Sequence, residues 1–246
     1  MAMKKFGYEF NWTFCCMPKY FIGPIFILFV LTACIDNPFK RKKHINPDYV
    51  FFDYKIRGEE NQENVTVYIQ YRNVGPNGRG LVLEDPAEVR LDGELIHPDS
   101  TKLTGAYYEI QKPLESFAGP HTIVLTDQNK KQYKEEFQYH PFMLVTSLGS
   151  AIHRESLVLN FEGLSPVDYI DLTATDTSFT SRDINEIDTV KNGRLELSKD
   201  KLKNLVNGPI TLLISKETEG GVQNGTKAGG TILISYGLQR EFELTD

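Results

Sequence analysis

VTVYIQYR, residues 65–72, decides the fold. Val65, Val67, Ile69 and Tyr71 fall on one side of an extended chain, and Thr66, Tyr68, Gln70 and Arg72 on the other. This period of two belongs to a half-buried β-strand, and β-branched and aromatic side chains suit its pleat. The same alternation runs through Val50, Phe52, Tyr54 and Ile56. Further β-rich runs cover residues 88–91, 106–111, 121–126 and 133–139. Asp92-Gly93 interrupts an alternating stretch and predicts a tight hairpin, because both residues tolerate the positive φ that such a turn needs. Residues 127–130 (DQNK) predict another turn.

A second series follows Pro141, at residues 142–148, 157–161, 169–175, 195–197, 210–216, 231–236 and 239–244. Residues 198–206 (SKDKLKNLV) predict one short helix, with Ser198 as its N-cap and Asn207-Gly208-Pro209 as its stop. The six or seven strands before residue 140 match the count of an immunoglobulin-like sandwich, which the pattern resembles. The expected fold class is therefore all-β: two tandem antiparallel β-sandwich domains, residues 48–140 and 141–246. A single merged sandwich is the alternative.

The composition permits a packed core: 40% of the 246 residues are hydrophobic and 24% charged. The formal charge is −6, and it becomes −8 once the three lysines and one glutamate of the first 33 residues are set aside. An acidic body without a basic stripe repels nucleic acid. The three cysteines are Cys15, Cys16 and Cys34. Residues 35–246 accordingly hold no thiol nucleophile, no cysteine zinc site and no disulfide.

Residues 21–33 read FIGPIFILFVLTA, thirteen residues without a charge. As a helix the run is about 20 Å long, short for a hydrocarbon core of about 30 Å. Its length and the preceding Lys19 suit the apolar region of a signal peptide. It ends in Leu31-Thr32-Ala33-Cys34, which resembles the lipobox of bacterial lipoproteins. The resemblance implies cleavage before Cys34, acylation of its sulfur and amine, and a lipid-anchored location in the cell envelope, with the outer membrane expected. Ile35 and Asp36, just after the cysteine, do not separate inner from outer membrane. Met17 would give a compact signal segment, and the alternative is an extended leading region. Residues 34–47 form the expected tether, in which Lys40-Arg41-Lys42-Lys43 either rests on anionic headgroups or is simply solvated.

Catalytic signatures were sought along the rest of the chain. His44, His97, His121, His140 and His153 include no pair at the spacing of a helical zinc motif, and each reads as a surface or turn residue. Residues 163–166 (GLSP) end in proline where a nucleophile elbow needs glycine. Residues 219–230 (EGGVQNGTKAGG) superficially resemble a phosphate loop, but Thr226-Lys227 stand in reversed order and strands flank both sides. This stretch reads as a flexible hairpin loop. Asp168, Asp171 and Asp176 lie close in sequence, yet strand alternation scatters them, and no calcium or other cofactor is expected. Glu135-Glu136 and Glu59-Glu60 are neighbours that point apart, unlike a glycosidase pair.

The remaining signal is aromatic. Eight of the ten tyrosines that follow Cys34 lie before residue 140. Phe51, Tyr68 and Tyr107 fall on the polar faces of their strands, which marks them as a candidate contact patch for a glycan or a protein. Packing between strands is the bland alternative. The function expected from the sequence is a non-enzymatic, lipid-anchored binding or assembly module. A lipid-anchored hydrolase with dispersed catalytic residues and a structural spacer are the rivals.

Overall fold

A computed structural model describes residues 47–178 and 181–246. The signal segment, Cys34 and most of the tether lie outside the described residues. From His44 to Asp246 the chain is one compact unit.

Among the described residues, sixteen strands run in chain order. They are β1 (Val50–Glu59), β2 (Asn64–Asn73), β3 (Glu88–Leu91), β4 (Glu94–Ile96), β5 (Pro98–Thr101), β6 (Gly105–Pro113), β7 (Gly119–Thr126) and β8 (Gln132–Tyr139), then β9 (Met143–Leu144), β10 (Ala151–His153), β11 (Leu157–Glu162), β12 (Val167–Thr175), β13 (Ile184–Lys191), β14 (Arg194–Leu197), β15 (Gly208–Gly221) and β16 (Gly230–Thr245). The protein is all-β, and its sheets form β-sandwiches.

The larger sheet follows the order β5-β6-β2-β1-β16-β15-β12-β13-β14-β11-β9, and β10 also pairs with β16. The smaller sheet is β4-β3-β7-β8. The first sandwich packs this small sheet against β6, β2, β1 and the leading half of β16. Phe52, Tyr54, Tyr71, Tyr108, Tyr133, Phe137 and Tyr139 fill the space between them. In the second sandwich the ladder turns at the Asn192-Gly193 hairpin, where both φ angles are positive. There β13 and β14 share one registered pair, Lys191 with Arg194. Leu159, Leu195 and Leu197 from the returning strands then join the core with Ile170, Leu172, Leu212 and Leu244.

The hairpin β15–β16 belongs to both sandwiches. At 14 and 16 residues its strands are about 50 Å long. Residues Gly230 to Gly237 of β16 pair in parallel with Phe52 to Glu59 of β1. The adjoining part of β15, Thr211 to Ser215, pairs with β12. A ladder thus joins strands on either side of Pro141. The sequence pattern shows two runs at 231–236 and 239–244, because Gly237-Leu238 breaks the alternation of residue types; the backbone passes through as one strand. Gly230 permits the junction: a Cβ there would lie 2.5 Å from the Phe52 carbonyl oxygen.

Asp92 and Gly93 both have positive φ, as the predicted hairpin requires. Asp127 accepts from the backbone N–H groups of Asn129 and Lys131, closing the second predicted turn. The helix is shorter than predicted, Lys199–Leu202, with Ser198 at its N-cap. Its continuation is replaced by Arg154, whose Nη1 donates to the carbonyls of Leu202 and Leu205. Strand β13 (INEIDTVK) is absent from the sequence expectation, since its acidic residues disfavour a strand and only Ile184 and Val190 are buried.

Candidate binding face

Register assigns faces. Lys55 pairs with Tyr68, and Tyr68 with Glu109. Lys55 also pairs with Leu233, and Leu233 with Glu219. Partners across a ladder share a face, so these side chains stand on the side opposite the two cores. The same parity carries on through Ser215 and Asp171 to Ile187. One sheet therefore presents one outer face from β6 to β13.

At its β2–β6 end lie Tyr68 and Tyr107. Their rings stack with centroids 5.2 Å apart and planes inclined by 20°. They are diagonal neighbours across the two strands, a separation that aromatic rings can bridge. An offset stack of this kind contributes about 0.5–1.5 kcal/mol beyond its buried area. Tyr107 Oη donates to Asp99 Oδ2 at 3.0 Å, and Asp99 is registered opposite it on β5. That hydrogen bond raises the Tyr107 phenol above its usual range. Partial burial raises Tyr68, and Arg72 opposes the shift. Both phenols are neutral donors at physiological pH.

Beside the rings, on the same face of β1 and β2, lies a dense polar group. Arg72 Nε and Nη2 donate to Asp53 Oδ2 at 3.0 and 2.8 Å, and its Nη1 donates to the Gly78 carbonyl at 3.2 Å. Lys55 Nζ lies 3.4 Å from the same carboxylate oxygen. Asp53 is 7% exposed, so this pairing compensates a charge removed from water. Gln70 is fully buried and donates to the carbonyls of Thr104 and Ala106 at 2.9 and 3.0 Å. Its Oε1 has no hydrogen-bond partner among the described residues. Gly80 passes close over this strand, and a Cβ there would sit 2.2 Å from the Ala106 carbonyl oxygen. Two loops are thereby held against the sheet beside the tyrosine pair.

Phe51 does not join the accessible patch. Its parity is that of the outer face, as expected, but it is 8% exposed. Val74 N donates to the Tyr49 carbonyl, and Thr226 Oγ1 to the Val50 carbonyl. Loops from both sides are thus tied to the start of β1, and the side chain at its second residue lies beneath them. The stretch of residues 219–230, expected to be a flexible loop, is bound on two sides. Lys227 N donates to the Asp48 carbonyl, while Gln223 Nε2 and Asn224 Nδ2 donate to the carbonyls of Glu136 and Lys134. The expected lipidation site, Cys34, lies outside the described residues.

The far end of the face holds side chains that the sequence reading did not single out. Val167, Tyr169, Ile187 and Leu213 are exposed on β12, β13 and β15, Tyr169 at 62% and Ile187 at 70%. The signal was present: Val167 and Tyr169 share parity with Asp171, and Ile170, Leu172 and Ala174 take the buried side.

The three neighbouring aspartates do not converge. Asp168 faces inward and is held by Lys216 and by the backbone N–H groups of Ser165 and Tyr169. Burial alone would raise its pKa, but these three donors hold it below the usual carboxylate value. Asp171 takes the outer face. Asp176 accepts from Ser178 N, Ser181 Oγ and Val206 N and staples a loop. His121 is built into the first sandwich. Its ring stacks on Phe117 at 3.8 Å, and its two nitrogens lie 2.7 Å from Asp92 Oδ2 and from the Phe117 carbonyl.

No family model matches the chain, and no curated protein does. Solved structures that resemble it include the two immunoglobulin domains of DIP-gamma, at 11% identity over 76% of this chain and 94% of that one, with a TM-score of 0.23. Fibronectin(III)-like modules of Clostridium thermocellum CbhA align at 11% identity over 73% of this chain and 87% of theirs, with a TM-score of 0.23. The Bacteroides ovatus protein SGBP-B, from a mixed-linkage glucan utilization locus, aligns at 15% identity over 80% of this chain and 60% of that one, with a TM-score of 0.19.

Proposed function

We propose that this protein is a non-enzymatic binding module, lipid-anchored through Cys34 to a bacterial envelope membrane, most simply the outer one, and that the outer face around Tyr68 and Tyr107 is its contact surface. The observation that carries the reading is the stacked tyrosine pair, in which Tyr107 is hydrogen-bonded to Asp99, standing beside the ion-paired Asp53 and Arg72 and the hydrogen-bonded Gln70. Ordered rings lose little conformational freedom on binding, and a tyrosine presents both an apolar face and a polar tip. The rim holds charges of both signs, Lys55, Arg72, Asp99 and Glu109, which suits the polar edge of a protein contact or the hydroxyls of a glycan.

A hydrolase would need a cleft with cooperating acids or histidines. Glu135 lines a cleft, but Glu136 projects to the other side of β8 and pairs with Lys134. The test is retention of tagged full-length protein on whole envelope fractions, with periodate-treated and protease-treated fractions run alongside. Loss after periodate assigns a glycan, and loss after protease assigns a protein. The Tyr68→Ala/Tyr107→Ala variant should lose retention in either case. Undiminished retention of that variant would remove the outer face from the mechanism. Metabolic labelling with a palmitate analogue, abolished by Cys34→Ala, tests the anchor.

A further inference from the structure

The opposite side of the same sheet contains a second feature, independent of the contact face. The large sheet is wider than the small one in the first sandwich. β8 is the last strand of the small sheet, so β15 and part of β16 have no strand facing them. A cleft of about 380 Å³ opens there, within the size range of ligand pockets. Ile232, Ile234 and Tyr236 form its floor, and Phe137 and Tyr139 its wall.

Besides the buried Tyr139 hydroxyl, which has no hydrogen-bond partner among the described residues, two polar features of the cleft bear on a ligand. The first is Glu135, which alternation places on the inward, apolar side of β8 between Tyr133 and Phe137. It is 3% exposed and accepts from Gln223 N at 2.7 Å and from the Asn224 backbone N–H, but it has no cationic partner among the described residues. A desolvated carboxylate without a counter-charge is costly, and burial raises its pKa. The second is the free edge of β8. The carbonyls of Lys134 and Glu136 point off that edge and are covered by Asn224 and Gln223. Gln138 has the same parity, so its N–H and C=O point the same way, and among the described residues they have no partner. On the other side Gln138 is registered to Pro120, which has no N–H. Charge runs unevenly along the cleft. Glu135 stands at the hairpin end, while Lys216 and His140 stand at the other, with Lys216 already paired to Asp168.

We propose that this cleft receives an extended peptide segment of a partner protein, which adds to β8 at Gln138 and brings a lysine or arginine side chain to Glu135. The backbone edge supplies main-chain hydrogen bonds, the isoleucine floor takes alternate apolar side chains, and the carboxylate selects the cation. Because Gln223 and Asn224 cover the edge at Glu136 and Lys134, the segment pairs at Gln138 and reaches Glu135 with a long cationic side chain rather than with its backbone.

The test uses the detergent-solubilised full chain and two acetylated, amidated fluorescent peptides, Thr-Val-Lys-Val-Thr and its norleucine analogue, read by anisotropy. The lysine peptide should bind at least tenfold more tightly than the norleucine peptide. Glu135→Gln should erase that difference. It should also fold at least as well as the parent, because it keeps the acceptor for Gln223 and removes the buried charge. Gln138→Pro should weaken both peptides and still fold, since the lost N–H is not part of the ladder to β7. The contact-face variant Tyr68→Ala/Tyr107→Ala should bind both peptides as the parent does. Absence of saturable binding up to millimolar peptide, equal affinity for the two peptides, or indifference to Glu135→Gln would each overturn the proposal. Loss of peptide binding in the tyrosine variant with Glu135→Gln unaffected would also overturn it, while leaving the contact-face reading intact.

Discussion

The two ends of the outer face are built differently. At the β2–β6 end the rings of Tyr68 and Tyr107 stack on each other, Tyr107 is hydrogen-bonded to Asp99, and ion-paired and hydrogen-bonded side chains stand beside them. At the β12–β13 end Tyr169 and Ile187 stand out singly, and among the described residues no hydrogen bond or ring contact holds their side chains. The cores beneath follow the same division. The first sandwich is rich in buried tyrosine, with Tyr54, Tyr71, Tyr108 and Tyr139 beside Phe52, and the second is packed mainly with leucine and isoleucine around Phe142, Phe161 and Phe242. Exposure alone would favour the second end as a contact surface. Preorganisation favours the first, because ordering a free side chain on binding costs about 0.5–1.5 kcal/mol and a braced one has already met that cost.

The largest effect should come from breaking the plate that joins the two ends. Gly230→Val sets a branched side chain against the Phe52 backbone, which the β1–β16 ladder cannot accept without separating. We expect a loss of about 3 kcal/mol in chemical denaturation. Hydrogen exchange should rise in β1 and β16 before β12 and β13. Uniform acceleration throughout would instead mean that both sandwiches unfold as one cooperative body.

Next in size is the binding comparison. Tyr68→Ala/Tyr107→Ala should reduce retention on envelope fractions about thirtyfold, the equivalent of about 2 kcal/mol for a central anchor. Tyr169→Ala/Ile187→Ala should change it by less than about threefold. Reversal of that order would move the contact surface to the other end of the sheet.

Arg72→Ala leaves Asp53 without its main partner and should lower stability by about 1.5–3 kcal/mol, with the destabilisation confined to the first sandwich. If that ion pair helps to order the face, the variant also weakens retention, because Arg72 stands on the same side of β2 as Tyr68. Normal retention in a folded Arg72→Ala protein would show that the tyrosines keep their geometry unaided.

The smallest effect concerns acid and the second sandwich. Asp168 has a depressed pKa in the folded protein, so its contribution is present above the usual carboxyl pKa of about 4 and fades as pH falls through the folded value. Asp168→Asn should flatten the stability profile below about pH 4 and cost stability at neutral pH. Parallel profiles for the two proteins below pH 4 would show that Lys216 and the two backbone N–H groups give the carboxylate no preference for its charged form.

Much of this molecule is written in local pattern. Residues 65–72 show a strand, its buried side and its outward tyrosine, because strand alternation has a period of two and needs no knowledge of partners. Asp92-Gly93 and residues 127–130 show their turns through backbone and side-chain preferences that are equally local. The placing of Tyr68 and Tyr107 on the polar side was legible for the same reason. What only the tertiary structure decided are the facts that depend on distant segments. Phe51 has the same parity as Tyr68, yet loops from residues 74–80 and 226–229 are bound beside it. Glu135 was visible in sequence as a charge on an apolar side, but its significance required the β15–β16 hairpin, some ninety residues later, to stand opposite it. The union of residues 230–245 into one strand shared by two sandwiches has no local sign, since its partner β1 lies at the other end of the described chain. Alternation determines which way a side chain points, and only the packing of remote strands determines what it meets there.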